Sequence, residues 1–183
     1  MELTGAFTLA ASPEKVWSAL NDPEVLQRCI PGCEALTETG ENELEAKMSA
    51  KIGPVKARFE TAITLSDIDP PNAYTLSGQG KGGAAGFAKG SARIELAAVE
   101  EGTELSYQVD MQVGGKLAQI GSRLVSGAAR KIADQFFTAF NEEVANVMQS
   151  AFDEAEAQRK DDLEVRAADV QIHDEVFEQL RAS

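Results

Sequence analysis

Between Glu34 and Val113 the sequence alternates between apolar and polar residues, and beyond Lys116 it does not. That change of period constrains the fold more than any other feature. In residues 42–52, Leu44, Ala46, Met48, Ala50 and Ile52 alternate with Glu43, Glu45, Lys47, Ser49 and Lys51. A Gly53-Pro54 turn follows, and 55–65 repeats the pattern with Val55, Ala57, Phe59, Ile63 and Leu65 on the apolar side. Segments 73–81, 87–99 and 103–113 continue in the same way. In the last of them Leu105, Tyr107, Val109, Met111 and Val113 share one face. A period of two places residues i and i+2 on the same side of a strand. The chain therefore predicts an antiparallel sheet with one apolar and one wet face.

After Gly114-Gly115 the apolar residues recur at helical spacing: Leu117, Ile120, Leu124, Ala128, Ile132, Phe136, Phe140, Val144, Val147, Met148, Ala151 and Phe152. The pattern predicts one long helix from Lys116 to about Ala157, about 60 Å if unbroken. Upstream, residues 2–10 read as a first strand. Ser12-Pro13-Glu14 opens a short helix, with Ser12 as its cap and Pro13 at its first position. Asn21-Asp22-Pro23 starts a second short helix, which Pro31-Gly32 ends. Residues 158–183 are expected as an acidic, weakly amphipathic tail helix beyond a charged break at Arg159–Asp162.

The fold class is α+β. A curved antiparallel sheet of six to seven strands wraps the long helix, and the two short helices close one end. The domain is expected to span 1–157 and the tail 158–183. Small inward residues (Ala46, Ala50, Ala57, Gly78, Gly80, Ala92, Ala98) leave room between sheet and helix, and such a cavity suits an apolar ligand.

Charge excludes several function classes. Seventeen Lys and Arg stand against thirty Asp and Glu, a net of −13. Nucleic acid is excluded as a partner on that balance, with no basic stripe to offset it. Anionic lipid is repelled on average, so membrane contact requires apolar groups or a partner protein. No run approaches the ~20 apolar residues of a membrane span. The start of the chain lacks the pattern of a signal peptide. Two cysteines make no disulfide framework, so a cytoplasmic location is expected, with peripheral contact at the inner face of the membrane as the variant.

Motifs that carry chemistry elsewhere have plainer readings here. Cys29-Ile30-Pro31-Gly32-Cys33 has neither redox spacing nor a nearby histidine, since the sole histidine is His173. A buried turn is expected, and no metal. Gly78-Gln79-Gly80-Lys81-Gly82-Gly83 matches G-x-G-x-x-G, but a strand rather than a helix follows. It reads as a mobile glycine-rich hairpin rather than a dinucleotide site, with a ligand entrance at a cavity mouth as its functional alternative. Glu43, Glu45 and Glu60 against Lys47, Lys51, Lys56 and Arg58 read as charge pairs on the wet face. No catalytic constellation stands out, and no cofactor is called for. Ligand-lining residues are expected at Leu117, Ile120, Gly121 and Leu124 on the helix, with Ile30, Phe59 and Phe87 opposite. Tyr107 is the inward polar side chain best placed for chemistry.

Four segments carry a resemblance: CIPGCE (29–34), GPVKARF (53–59), GFAKGSARIEL (86–96) and GGKLAQIGSRLVSGAARKIADQFFTAF (114–140). Together they closely resemble the CoxG family of carbon monoxide dehydrogenase accessory proteins, of the START-like SRPBCC helix-grip superfamily, over roughly residues 1–150. The resemblance implies an accessory of molybdenum hydroxylases, without catalysis of its own. It implies binding of a hydrophobic quinone or lipid, with help in membrane recruitment or electron-acceptor delivery. Some members carry a longer C-terminal extension that reaches the membrane; this tail is short and acidic, with no strongly apolar stretch. Two other readings stand beside it: a protein adaptor with a filled cavity, and an enzyme acting on an aromatic substrate.

Overall fold

The computed structural model describes residues 1–182, with the backbone alone for Val147 and Met148. Strand β1 (Glu2–Leu9) leads into helices α1 (Pro13–Leu20) and α2 (Pro23–Cys29). Six strands follow: β2 (Cys33–Gly40), β3 (Glu43–Ile52), β4 (Val55–Asp69), β5 (Ala73–Lys81), β6 (Phe87–Val99) and β7 (Gly102–Gly114). A single helical turn, α3 (Lys116–Gln119), precedes α4 (Ser122–Arg181). The chain divides into two compact units, Met1–Ala145 and Asn146–Ser183.

All strand pairs are antiparallel, in the order β1-β7-β6-β5-β4-β3-β2. Consecutive strands β2 to β7 are neighbours joined by turns. β1 instead pairs with β7, so α1 and α2 carry the chain from one edge of the sheet to the other. Both helices are capped at their starts. The Ser12 hydroxyl accepts from the Lys15 amide at 3.5 Å, the Asp22 carboxylate accepts from the Glu24 amide at 2.9 Å, and a proline holds the first turn of each.

The alternation decides what is buried. Leu3, Leu9, Ala46, Phe59, Tyr74, Ile94, Leu96 and Leu105 turn inward from the strands. Val16, Leu20, Val25 and Cys29 cover them at one end, and Phe137, Phe140 and Val144 of α4 complete the core. Phe7, Tyr107 and Phe137 form a ladder of nearly parallel rings, with Phe7 and Phe137 only 4.3 Å apart between centroids. Thr103 is fully buried, and its hydroxyl donates to the Ala11 carbonyl at 2.7 Å, tying β7 to the start of α1.

Two expectations for the helix are corrected. It is not unbroken from Lys116: Gly121 takes φ +96°, which separates α3 from α4. Nor does it break at Arg159–Asp162, because α4 runs through to Arg181. No glycine or proline lies between Ala128 and Ser183. The charged stretch carries ordinary helix-compatible pairs instead, such as Gln158 to Asp162 at 3.2 Å.

Candidate functional site

The sheet and the first part of α4 do not close completely on each other. A cavity of about 320 Å³ lies under the centre of the sheet. Its walls are Met48, Phe59, Val109 and Met111 from the strands, Leu117 from α3, and Val125 and Ile132 from α4. Ala50, Gly78, Gly80 and Ala92 also line it. The space exists because those positions carry little or no side chain. Of the other small residues expected to face inward, Ala46 is buried, Ala57 is half-buried and Ala98 is exposed at the end of β6.

A second cavity, about 470 Å³, opens at the end closed by α1 and α2. Leu26, Leu36, Tyr74, Phe136 and Phe137 line it, while Asn21, Glu38, Asn42 and Glu43 give it a polar rim. Ile63 and Leu76 line both cavities, so the two share a wall made of these side chains. Burial pushes the Tyr74 hydroxyl well above its ordinary pKa, keeping it neutral. Both volumes fall in the range of ligand pockets, and both are mostly apolar.

The structure distributes the expected lining residues. Phe59 and Leu117 share the smaller cavity, and Ile30 borders the larger one. Ile120 and Leu124 reach toward the Gly53 turn, within 3.8 Å and 3.4 Å of where a Cβ would stand there. Leu124 is half exposed and lines an outer cleft. Phe87 is 39% exposed and covers Gly114, leaving no room for a side chain at that position. Gly121 lies at the break before α4, with open space around it. Tyr107 points inward over Gly5 and belongs to the ring ladder; it lines neither cavity.

Ile63, Leu76, Tyr74 and Leu36 were not anticipated as lining. Their inward orientation was written in the alternation, but which inward residues border free volume depends on how the helices seat. The glycine-rich hairpin is tightly packed. The Phe59 ring lies across Gly82, and Gly86 meets Gly114 and Gly115 backbone to backbone, which only glycine permits at φ +103° and +69°.

The remaining chemistry is quiet. Burial is the first cause raising the pKa of both Cys29 and Cys33, so the thiols stay protonated at neutral pH. Both are free. No group of His, Cys, Asp or Glu suited to a metal occurs among the described residues. On the wet face Lys47 stands opposite Glu60, as expected, but Lys51 stands opposite Lys56. Arg58 instead pairs with Glu34, 2.9 Å away. The Glu34 carboxylate also accepts from Ser49 at 2.8 Å; the Ser49 bond first and Arg58 second hold its pKa below the ordinary range.

Comparison with known proteins places this architecture. The family model for CoxG, the G-subunit of carbon monoxide dehydrogenase, matches residues 5–145. A conserved protein from Geobacillus kaustophilus has a similar structure, with a TM-score of 0.76 and 35% identity. The match covers 80% of this chain and 96% of that one. The Zhui aromatase/cyclase of Streptomyces sp. R1128 shares the fold at 11% identity and a TM-score of 0.59, over 82% of this chain and 97% of its own. Ara h 8.0201 does so at 15% identity and a TM-score of 0.56, over 80% and 98%. No curated protein is matched. The fold is thus the START-like helix grip.

Proposed function

The chain belongs to the CoxG family of carbon monoxide dehydrogenase proteins, an accessory rather than a catalytic component, and on that premise we propose that it carries a hydrophobic small molecule, a quinone or lipid, for a molybdenum hydroxylase. The observation that carries this reading is the apolar space between sheet and helix. Its smaller chamber is lined by methyl, methylene and aromatic groups and by glycines, with Thr61, Ser77, Lys89 and Ser91 as the polar exceptions. Burial drives binding: each Å² of apolar ligand surface removed from water is worth about 25 cal/mol. Side chains of Phe59, Leu117 and Ile63 hold an apolar chain by contact. The polar rim at Asn21, Asn42 and Glu38 can meet a head with hydrogen-bonding oxygens in the larger chamber. Delivery serves electron-acceptor supply or membrane recruitment of the partner enzyme.

Native mass spectrometry of protein from its own source, followed by organic extraction, tests the proposal. The expected result is one quinone or lipid per chain. A clean apo mass that takes up no added menaquinone or ubiquinone analogue would sink it, and would leave a protein adaptor as the better account.

A further inference from the structure

The cations of this acidic chain are segregated. Residues 46–59, 70–94 and 111–133 hold eleven of the seventeen Lys and Arg, and none of the thirty Asp and Glu. The fold joins parts of all three segments at one end of the domain. There the Gly53 turn meets Ile120 and Leu124, Gly86 meets Gly115, and Phe59 meets Gly82. Some of these charges are answered: Lys47 and Lys81 both stand opposite Glu60 in register, Arg58 pairs with Glu34, and Arg93 with Glu95. The other seven are not. Lys51, Lys56, Lys89, Lys116, Arg123, Arg130 and Lys131 are exposed and have no ion-pair partner among the described residues.

Three of the seven surround an opening. β2 pairs with β3 only as far as Met48, the Ser49 amide donates to the Gly32 carbonyl at 2.9 Å, and Ala50–Ile52 has no strand beyond it. The resulting cleft, about 600 Å³, runs between β3 and residues 123–135 of α4. Gly127, with open space around it, and Ala128 leave it room, and Lys51, Arg123 and Lys131 flank it. No carboxylate lines it. Ala50 and Ile132 belong to both the cleft and the smaller apolar cavity, so these two side chains form the wall between them. Leu124 stands 49% exposed on its rim.

We infer that this end of the domain docks on an anionic lipid bilayer, presenting the cleft as the portal of the cavity. Unpaired cations beside an exposed leucine form the pattern of an interfacial surface. An acidic protein would satisfy the charges, but it would leave the apolar cavity one side chain behind the cleft unexplained. The overall charge of −13 does not prevent docking, because screening over about 8–10 Å lets a lipid surface feel the nearest face rather than the whole chain. The expectation that anionic lipid is repelled is thereby reversed for this face. The inference rests on the carrier reading for the purpose of the portal, but its electrostatics can be tested separately.

The test floats the full chain with vesicles of phosphatidylglycerol and phosphatidylcholine in equal parts, and with vesicles of phosphatidylcholine alone. Binding is expected to the mixed vesicles only, and to weaken with salt. The exposed triple variant Lys51→Gln/Arg123→Gln/Lys131→Gln should lower the partition coefficient on the order of a hundredfold. The matching tail variant Arg159→Gln/Lys160→Gln/Arg166→Gln should leave it unchanged. Equal binding to both vesicle types, equal loss in the tail variant, or retention on poly-glutamate beads without vesicle binding would each overturn the inference. A second measurement follows uptake of a fluorescent ubiquinone analogue. Gly127→Phe, at a position with open space around it, should block uptake while vesicle binding keeps its dependence on charge and salt; unchanged uptake would overturn the portal. Charge-dependent vesicle binding without any uptake by the native chain supports docking and removes the carrier reading alone.

Discussion

The two parts of α4 have the same helical backbone and opposite fates. In residues 122–145, Val125, Phe137, Phe140 and Val144 are buried, Phe140 completely. From 149 to 182 every residue is exposed, including Phe152 at 67% and Leu163 at 65%. The second part is the more highly charged, but both contain large apolar side chains, so their presence alone does not separate the two. Arrangement does. At 100° per residue, the apolar residues of the first part gather on one broad stripe. In the second part Leu163, Val170 and Phe177 fall on one side, and Val165, Ile172 and Val176 on nearly the opposite one. Neither stripe is wide enough to seat a helix against a sheet. A period of 3.6 therefore announces a helix, while the width of its apolar face announces a partner.

The strongest way to break this contrast is a pair of truncations. Phe140→Ala should cost about 3–5 kcal/mol of unfolding free energy, whereas Phe152→Ala should stay within about 0.5 kcal/mol. Urea melts of both variants read the difference, and equal losses would show that the second part is packed on something. A glycine pair sharpens the boundary at the other end. Gly121→Ala forces a side chain onto φ +96° and should destabilise by about 1–3 kcal/mol. Gly127→Ala sits within α4, where the new Cβ meets nothing within 4 Å, and should stabilise by up to about 1 kcal/mol. Thermal melts that moved in the same direction would contradict the break between α3 and α4. The smallest effect is expected from ending the chain at residue 157, the proposed domain boundary. Calorimetry should then show the main transition essentially unmoved, and a large fall would make the tail part of the folding unit.

Legibility followed the range of the interactions. The strands were readable because Leu44 to Ile52 or Leu105 to Val113 state their faces within a few residues. The short helices were readable because Ser12-Pro13 and Asp22-Pro23 are local stop-and-start chemistry. The continuity of α4 was not, because a run of charges at 159–162 looks like a boundary although nothing in it opposes helical geometry. The shared wall of Ile63 and Leu76 was also hidden: both were visibly inward, but free volume beside them is created by α1, α2 and α4 together. Likewise Leu117 and Leu124 look equivalent in the helical pattern. The turn at Ile120-Gly121 sends the first into the cavity and leaves the second on the rim of the cleft.

Trp17 is the only tryptophan in the chain, and its ring meets Tyr74 edge-on at 5.4 Å between centroids. Tyr74 in turn walls the larger chamber. The molecule thus contains its own optical gauge. A quinone reaching that chamber would quench the indole emission. Occupancy of the larger chamber can therefore be followed in time without attaching a label.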